Sequence, residues 1–168
     1  RNENKWLWRC HIDVSNPNPQ VWKFLKEFIL KYDAAVFSAP GFAQRLDIPQ
    51  YLISPSIDPL SDKNKELPEE VINSVLDKYS IVKNKPIITQ ISRFDRLKDP
   101  VGVIQAFLQV KKYIDCQLLL AGGTAVDDPE GIEVYEEIKE LAKQDKDIHI
   151  LLLPQNDIEV NALQRASD

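Results

Sequence analysis

Cys116-Gln117-Leu118-Leu119-Leu120-Ala121-Gly122-Gly123 is the stretch on which the fold turns. Its apolar run over 116–121 lacks the in-out alternation of a half-exposed strand and stops at a glycine pair. That pattern reads as a strand covered on both sheet faces, which implies a parallel sheet sandwiched by helices. The chain on either side agrees. Upstream, Pro86-Ile87-Ile88-Thr89-Gln90-Ile91-Ser92 is a β-branched strand, and Asp99-Pro100 opens the helix between the two with an N-cap and a proline at the first helical position. Val103, Ile104, Phe107 and Leu108 give that helix its apolar face, and it should end near Tyr113. Downstream, Asp128-Pro129 repeats the cap, Val134, Ile138, Leu141 and Ala142 form the next stripe, and 148–153 is a third strand. Asn156 with Glu159 three residues on predicts a capping box for a last helix through Ala166. From residue 86 the order is β-α-β-α-β-α, and right-handed crossovers make it the first half of a doubly wound, Rossmann-like α/β sheet.

The first third reads as a smaller β-α-β unit. An aromatic strand over 5–12 leads through the turn Ser15-Asn16-Pro17-Asn18-Pro19 to a helix with Val21, Phe24, Leu25, Phe28 and Ile29 on one stripe, ending near Tyr32. Strands over 34–38 and 50–54 follow. Residues 55–67, with Pro55, Pro59 and the run Ser61-Asp62-Lys63-Asn64-Lys65-Glu66, have the composition of an exposed connection. Pro68 then opens a helix with Glu69 and Glu70 in its first turn and Val71, Ile72, Val75, Leu76 and Tyr79 on its buried face. The expected domains are therefore 1–58 and 59–168.

Composition narrows the function classes. The 168 residues carry 21 Lys+Arg against 26 Asp+Glu, a formal net charge of −5, so polyphosphate backbones are not attracted and nucleic acid is an unpromising partner. No apolar run approaches the ~20 residues of a membrane span. Neither a secretory leader nor metal-like cysteine spacing is visible, since Cys10 and Cys116 lie far apart, and a reducing cytoplasm fits. The first residue is Arg1 and methionine is absent, from which a piece of a longer protein is expected. Oligomeric state is left open, a homo-oligomer included.

In such a sheet, ligands bind beyond the carboxyl ends of the strands, in the loops after Ser92, Ala121 and Leu153. Ser92-Arg93-Phe94-Asp95-Arg96-Leu97-Lys98 sets three cations between a buried strand and a capped helix whose N–H groups point outward, an arrangement suited to a diphosphate. Spacing alone leaves open that these are surface cations paired with Asp95 and Asp99.

This loop, with Asp99-Pro100 after it, resembles the family-4 retaining glycosyltransferases of the GT-B fold, in which an Arg and a Lys five positions later hold the diphosphate of a nucleotide sugar. The matching pair is Arg93 and Lys98. Trp8-Arg9-Cys10-His11-Ile12-Asp13, Pro55-Ser56-Ile57-Asp58-Pro59, Asp127-Asp128-Pro129-Glu130-Gly131 and residues 160–168 resemble the archaeal trehalose synthase (glycosyltransferring) branch, near trehalose phosphorylases. The resemblance implies a partial GT-B protein, the end of an acceptor-side domain followed by half of a nucleotide-sugar-binding domain. It implies transfer of glucose from UDP-, ADP- or GDP-glucose to a glucose acceptor, with same-face attack and the leaving phosphate as base; nothing in the residues, which hold no evident acidic cluster in the basic loop, requires a metal or cofactor. His11 matches the histidine that faces the donor sugar, Gly122 and Gly123 the glycine-containing loop, and Pro154 and Gln155 the loop beside the base. On their own residues the weaker matches keep other readings: a backbone-bonded histidine, a glycine turn, an ordinary polar loop. His149 and the three tryptophans read as structural.

The family's acidic motif, two glutamates separated by seven residues, falls beyond residue 168, so little turnover is expected of this chain alone. Two other readings stay open. One is a trehalose phosphorylase, with inorganic phosphate in place of the diphosphate; the other is a non-catalytic nucleotide-binding module. Neither GxGxxG nor GxxxxGK(S/T) occurs, which argues against an ordinary dinucleotide fold or a P-loop.

Overall fold

The computed structural model describes residues 4–123, 129–154 and 156–168. The chain divides into two compact units, Arg1–Ile57 and Asp58–Asp168.

The first unit is a parallel sheet in the order β1 (Leu7–Arg9), β2 (Ala34–Phe37), β3 (Gln50–Leu52). All of β2 is buried, as a central strand must be. The connection from β1 runs through α1 (Pro19–Ile29), whose N-cap Asn18 accepts from the Gln20 and Val21 amides at 3.0 and 3.2 Å. The helix forms where its stripe predicts, but the stripe is not covered. Ile29 alone is buried, while Phe24 is 61% and Phe28 49% exposed and the two rings pack on each other at 5.0 Å. Periodicity fixes the phase of an apolar face; it does not supply a facing layer, and the Lys31 ammonium, 5.1 Å from the Phe28 ring centroid, gives only partial cover. Trp8 packs edge-on against Phe37 at 5.8 Å, with Trp22 tilted at 6.4 Å, but Trp6 is exposed rather than packed inside.

The second unit holds a parallel sheet in the order β4 (Ile87–Ile91), β5 (Gln117–Gly122), β6 (Ile148–Leu152). Helices α3 (Pro100–Val110) and α4 (Pro129–Ala142) cover one face, α2 (Glu69–Lys78) and α5 (Asp157–Arg165) the other. In β5, Leu118 and Leu120 join Ile104, Phe107, Val134 and Ile138, while Leu119 and Ala121 join Val75, Leu76, Ala162 and Leu163. The strand's double burial follows from this, at roughly 1.5–3 kcal/mol for each large side chain removed from water. Gln117 is fully buried in the same strand. Its amide is satisfied by Val82 O at 2.6 Å, Lys85 O at 3.0 Å and Val82 N at 3.2 Å, which ties the segment before β4 to β5.

After α5 the chain returns to the far edge of β4, where Asp168 N donates to Ile87 O at 3.0 Å and Ile87 N to Asp168 Oδ2 at 2.9 Å. That return across the sheet is the reversal of a doubly wound fold, and the parallel pairing puts the carboxyl ends of β4, β5 and β6 together. At the amino ends, Lys85 and Lys111 both reach the buried Asp147 carboxylate, the first at 2.7 Å, and both also pair with Asp115.

Two caps differ in detail from expectation. Asp99 does cap α3, accepting from Gly102 N at 3.0 Å, but from a left-handed backbone with φ 48°. A Cβ on Gly102 would stand 2.2 Å from Asp99 Oδ2, so the glycine makes room for the cap. Asn156 caps α5 through the Ile158 and Glu159 amides, yet Glu159 does not close the capping box. Its carboxylate turns away to Lys78 at 2.7 Å, Tyr79 and Asn156 Nδ2, because the Lys78 ammonium on α2 and the Tyr79 hydroxyl just after it are stronger donors than one backbone amide. The Asp128 cap lies outside the described residues.

Candidate functional site

The strand ends of the second unit are sewn together by backbone. Ser92 N donates to Ala121 O at 3.0 Å, Phe94 N to Gly123 O at 3.3 Å and Leu153 N to Gly122 O at 2.8 Å. A Cβ on Gly122 would lie 1.7 Å from Ser92 O, whereas one on Gly123 would meet nothing. The glycine pair therefore splits in role: Gly122 lets two stretches of the chain's own backbone meet, and Gly123 leaves open space. Over them lies a cleft of about 680 Å³ lined by Arg93, Gly122, Gly123, Pro154, Asn156, Asp157 and Lys63, with Ile91, Leu153 and Val160 as its apolar part. Gln155 and residues 124–128 lie outside the described residues.

Arg93 is the cation that reaches this cleft from the basic loop. Its Nη2 stands 3.1 Å from Asp95 Oδ2; the arginine side chain is 66% exposed and the aspartate 6%. Asp95 in turn accepts from Lys98 N at 3.0 Å, opening a 3-10 turn over Arg96–Lys98 that the sequence did not predict. Phe94 is buried between them and packs against Tyr135 with ring centroids 5.7 Å apart. The loop is thus anchored by one aromatic ring and one buried carboxylate, and the guanidinium is aimed outward.

The other two cations part company with it. Arg96 is turned to the α4 carboxylates, 3.8 Å from Glu130 and 3.3 Å from Glu137. Lys98 is exposed on the 3-10 turn, its carbonyl accepting from Gln90 Nε2 at 2.7 Å, and it does not line the cleft. At the start of α3 the Asp99 carboxylate occupies one first-turn amide, Gly102 N, which leaves fewer open N–H groups than expected. The cleft's capacity for anions therefore rests on side chains, Arg93 and a second cation that sequence reading missed, Lys63. Its run of polar neighbours looks like solvated connection, and only the tertiary path brings it to the strand ends.

His11 belongs to the first unit. It is exposed, just beyond the carboxyl end of β1, where Cys10 N still donates to Val36 O at 2.9 Å and Arg9 Nη2 to Ser38 Oγ at 3.2 Å. His149 is held inside β6, its Nε2 buried without a hydrogen-bond partner; burial pushes its pKa down, which keeps the ring neutral and structural. Beside the cleft, hydrogen bonds from Lys78 and then Tyr79 pull the Glu159 carboxyl below its ordinary range.

A guanidinium and an ammonium over glycine backbone, next to an apolar wall, make a cleft able to hold a phosphorylated ligand with a flat or apolar part. Residues 1–44 match the family profile "Trehalose synthase, N-terminal domain". A trehalose synthase of Pyrococcus horikoshii is 46% identical over 171 residues, covering 99% of this chain and 41% of that protein. A trehalose phosphorylase of Pleurotus pulmonarius is 24% identical over 206 residues, covering 99% of this chain and 28% of that protein. The chain spans about 41% of the length of the trehalose synthases it matches. Among solved structures, a glycosyltransferase from Rickettsia africae superposes with a TM-score of 0.70 at 22% identity, covering 96% of this chain and 43% of that one. The E. coli trehalose-6-phosphate structure bound with UDP-2-fluoro glucose superposes at 0.72 with 14% identity, covering 98% and 46%. These structures show the fold: parallel α/β units of the GT-B glycosyltransferase kind.

Proposed function

We propose that this chain carries the donor-diphosphate part of a retaining glucosyltransferase that moves glucose from a nucleotide-activated glucose to glucose, forming trehalose. The observation that supports it most is Arg93, an exposed guanidinium held by a buried carboxylate over the Gly122-Gly123 backbone, in a chain similar over nearly all its length to trehalose synthases. In this reading the bond from the glucose C1 to the diphosphate oxygen breaks, C1 bonds to the acceptor hydroxyl on the same face, and the hydroxyl proton goes to the departing phosphate. Arg93 meets charge that grows on the diphosphate, a contact stronger in the transition state than before it. Lys98 acts from the neighbouring turn by a swing of its flexible side chain, His11 takes a hydroxyl of the donor sugar, and Gly123 and Pro154 form the side of the cleft nearest the base, with Gln155 a further candidate for that contact by its place in the sequence. The setting is cytoplasmic, where Cys10 and Cys116 remain the free thiols that they are here.

Similarity to a trehalose phosphorylase favours a second reading, in which inorganic phosphate takes the place of the diphosphate. Calorimetric titration of the chain with UDP-, ADP- and GDP-glucose and with phosphate, repeated on Arg93→Ala, separates the two. The first reading expects one nucleotide sugar to bind at micromolar to millimolar Kd, and Arg93→Ala to weaken it at least tenfold. Binding of phosphate alone would favour the phosphorylase, and a wild-type chain that is folded but binds none of these would refute both. Little turnover is expected of this chain by itself; trehalose formed by the pure chain would refute that part.

A further inference from the structure

Lys63 stands in the same cleft as Arg93, on a segment that composition alone would leave loose. It is clamped. The buried Asn161 side chain on α5 donates to the carbonyls of Asp62 at 2.9 Å and Lys65 at 2.8 Å, on either side of Lys63. Arg165, one turn further along α5, donates to Asn161 Oδ1 at 2.8 Å and to the carbonyls of Asn64 and Lys65 at 3.0 Å, and pairs with Glu66 at 2.8 Å. Asn64 folds back on Asp58 O at 2.8 Å and Ser61 Oγ at 2.9 Å. The backbone around Lys63 is therefore ordered before any ligand arrives, which removes much of the entropy that a mobile cation would lose on binding.

The Lys63 ammonium lies 3.3 Å from Asp157 Oδ1, with both side chains more than half exposed. A pair so open to solvent adds little to stability. It does not account for two α5 side chains spent on holding this backbone. We infer that Lys63 is a second cation for the cleft's ligand, a nucleoside diphosphate, and that Asp157 is its resting partner, displaced when a phosphate oxygen takes the carboxylate's place. Arg93 approaches that ligand from the loop after β4 and Lys63 from the segment clamped on α5, so the two charges meet different phosphate oxygens. Asn161 is a positioning residue that acts through Lys63. This inference rests on the donor-binding reading above.

The test is calorimetric titration of the full chain with UDP, ADP and GDP, and with inorganic phosphate, at two salt concentrations. For the tightest nucleotide, Lys63→Ala raises Kd about five- to tenfold and flattens its salt dependence. Asp157→Asn lowers Kd about two- to threefold by removing the competing carboxylate, and the gain is smaller in a Lys63→Ala background, where only direct repulsion of the phosphate is relieved. Asn161→Ala, where it folds, matches Lys63→Ala and adds little to it; Lys63 itself is exposed, so its variant leaves folding intact and carries the test. If Lys63→Ala binds within twofold of wild type while Arg93→Ala loses binding, the inference falls and the donor reading stands. If the folded wild-type chain binds no nucleotide, the donor reading falls with it. Phosphate bound as tightly as the best nucleotide, with equal dependence on Lys63, would overturn the assignment of a nucleoside diphosphate.

Discussion

The two ends of the β4–β5–β6 sheet use the same residue types in opposite ways. At the amino end, Lys85, Lys111 and Asp147 are all nearly buried, with side-chain exposures of 14%, 17% and 12%, and each cation has two carboxylates. At the carboxyl end, Arg93 and Lys63 each pair with one aspartate and are 66% and 57% exposed. Paired on all sides, a cation is part of the scaffold; held from one side and open on the other, it can exchange its carboxylate for a ligand's phosphate. Hydrogen bonds from Lys111 and then Lys85 pull Asp147 down to about 2, and those to Asp115 and Asp147 push Lys85 well above the usual lysine range.

The contrast can be broken at either end. The largest effect is expected where the two ligand loops touch: Gly122→Ala would drive a methyl into Ser92 O, forcing two backbones apart at about 3 kcal/mol or more, read as a lowered midpoint in urea unfolding together with lost nucleotide binding. Next comes Asp147→Asn, which leaves two lysines facing a neutral amide and should cost roughly 2–3 kcal/mol in the same assay while nucleotide Kd stays within twofold. Acid should act through the same residue. Asp147 has a folded pKa below its unfolded value, so its stabilisation is present above about pH 4 and fades as pH falls toward 2. Thermal melts of wild type should drop across that window, and the fall should be shallower in Asp147→Asn. The smallest effect belongs to Arg96→Ala: its pairs with Glu130 and Glu137 are exposed, so under about 1 kcal/mol and no change in nucleotide Kd are expected.

How far the sequence could be read follows the same line. Strand order, the two Asp and Asn caps and the double burial of β5 were legible because they depend on local periodicity and on residues within a turn of one another. The position of Arg93 at a strand's carboxyl end was legible because it comes two residues after β4. The 3-10 turn initiated by Asp95, which sets Lys98 apart from Arg93 at rest, was not legible, because it depends on that carboxylate accepting from Lys98 N. Lys63 was invisible, because its placement depends on Asn161 and Arg165 about a hundred residues later. Glu159 chose Lys78 and Tyr79 over the capping box for a like reason, a partner on another helix. The exposed stripe of α1 shows the limit from the other side: an amphipathic pattern specifies a face, and only the surrounding chain can cover it.

Amide hydrogen exchange, with and without the tightest of UDP-, ADP- and GDP-glucose, tests the division between the two ends most directly. Slowed exchange confined to residues 91–95, 122–123, 153 and the segment 62–65 is expected, with 83–85, 111–116 and 145–149 unchanged. Protection centred on the amino-end cluster, or none at the strand carboxyl ends of a saturated chain, would contradict it.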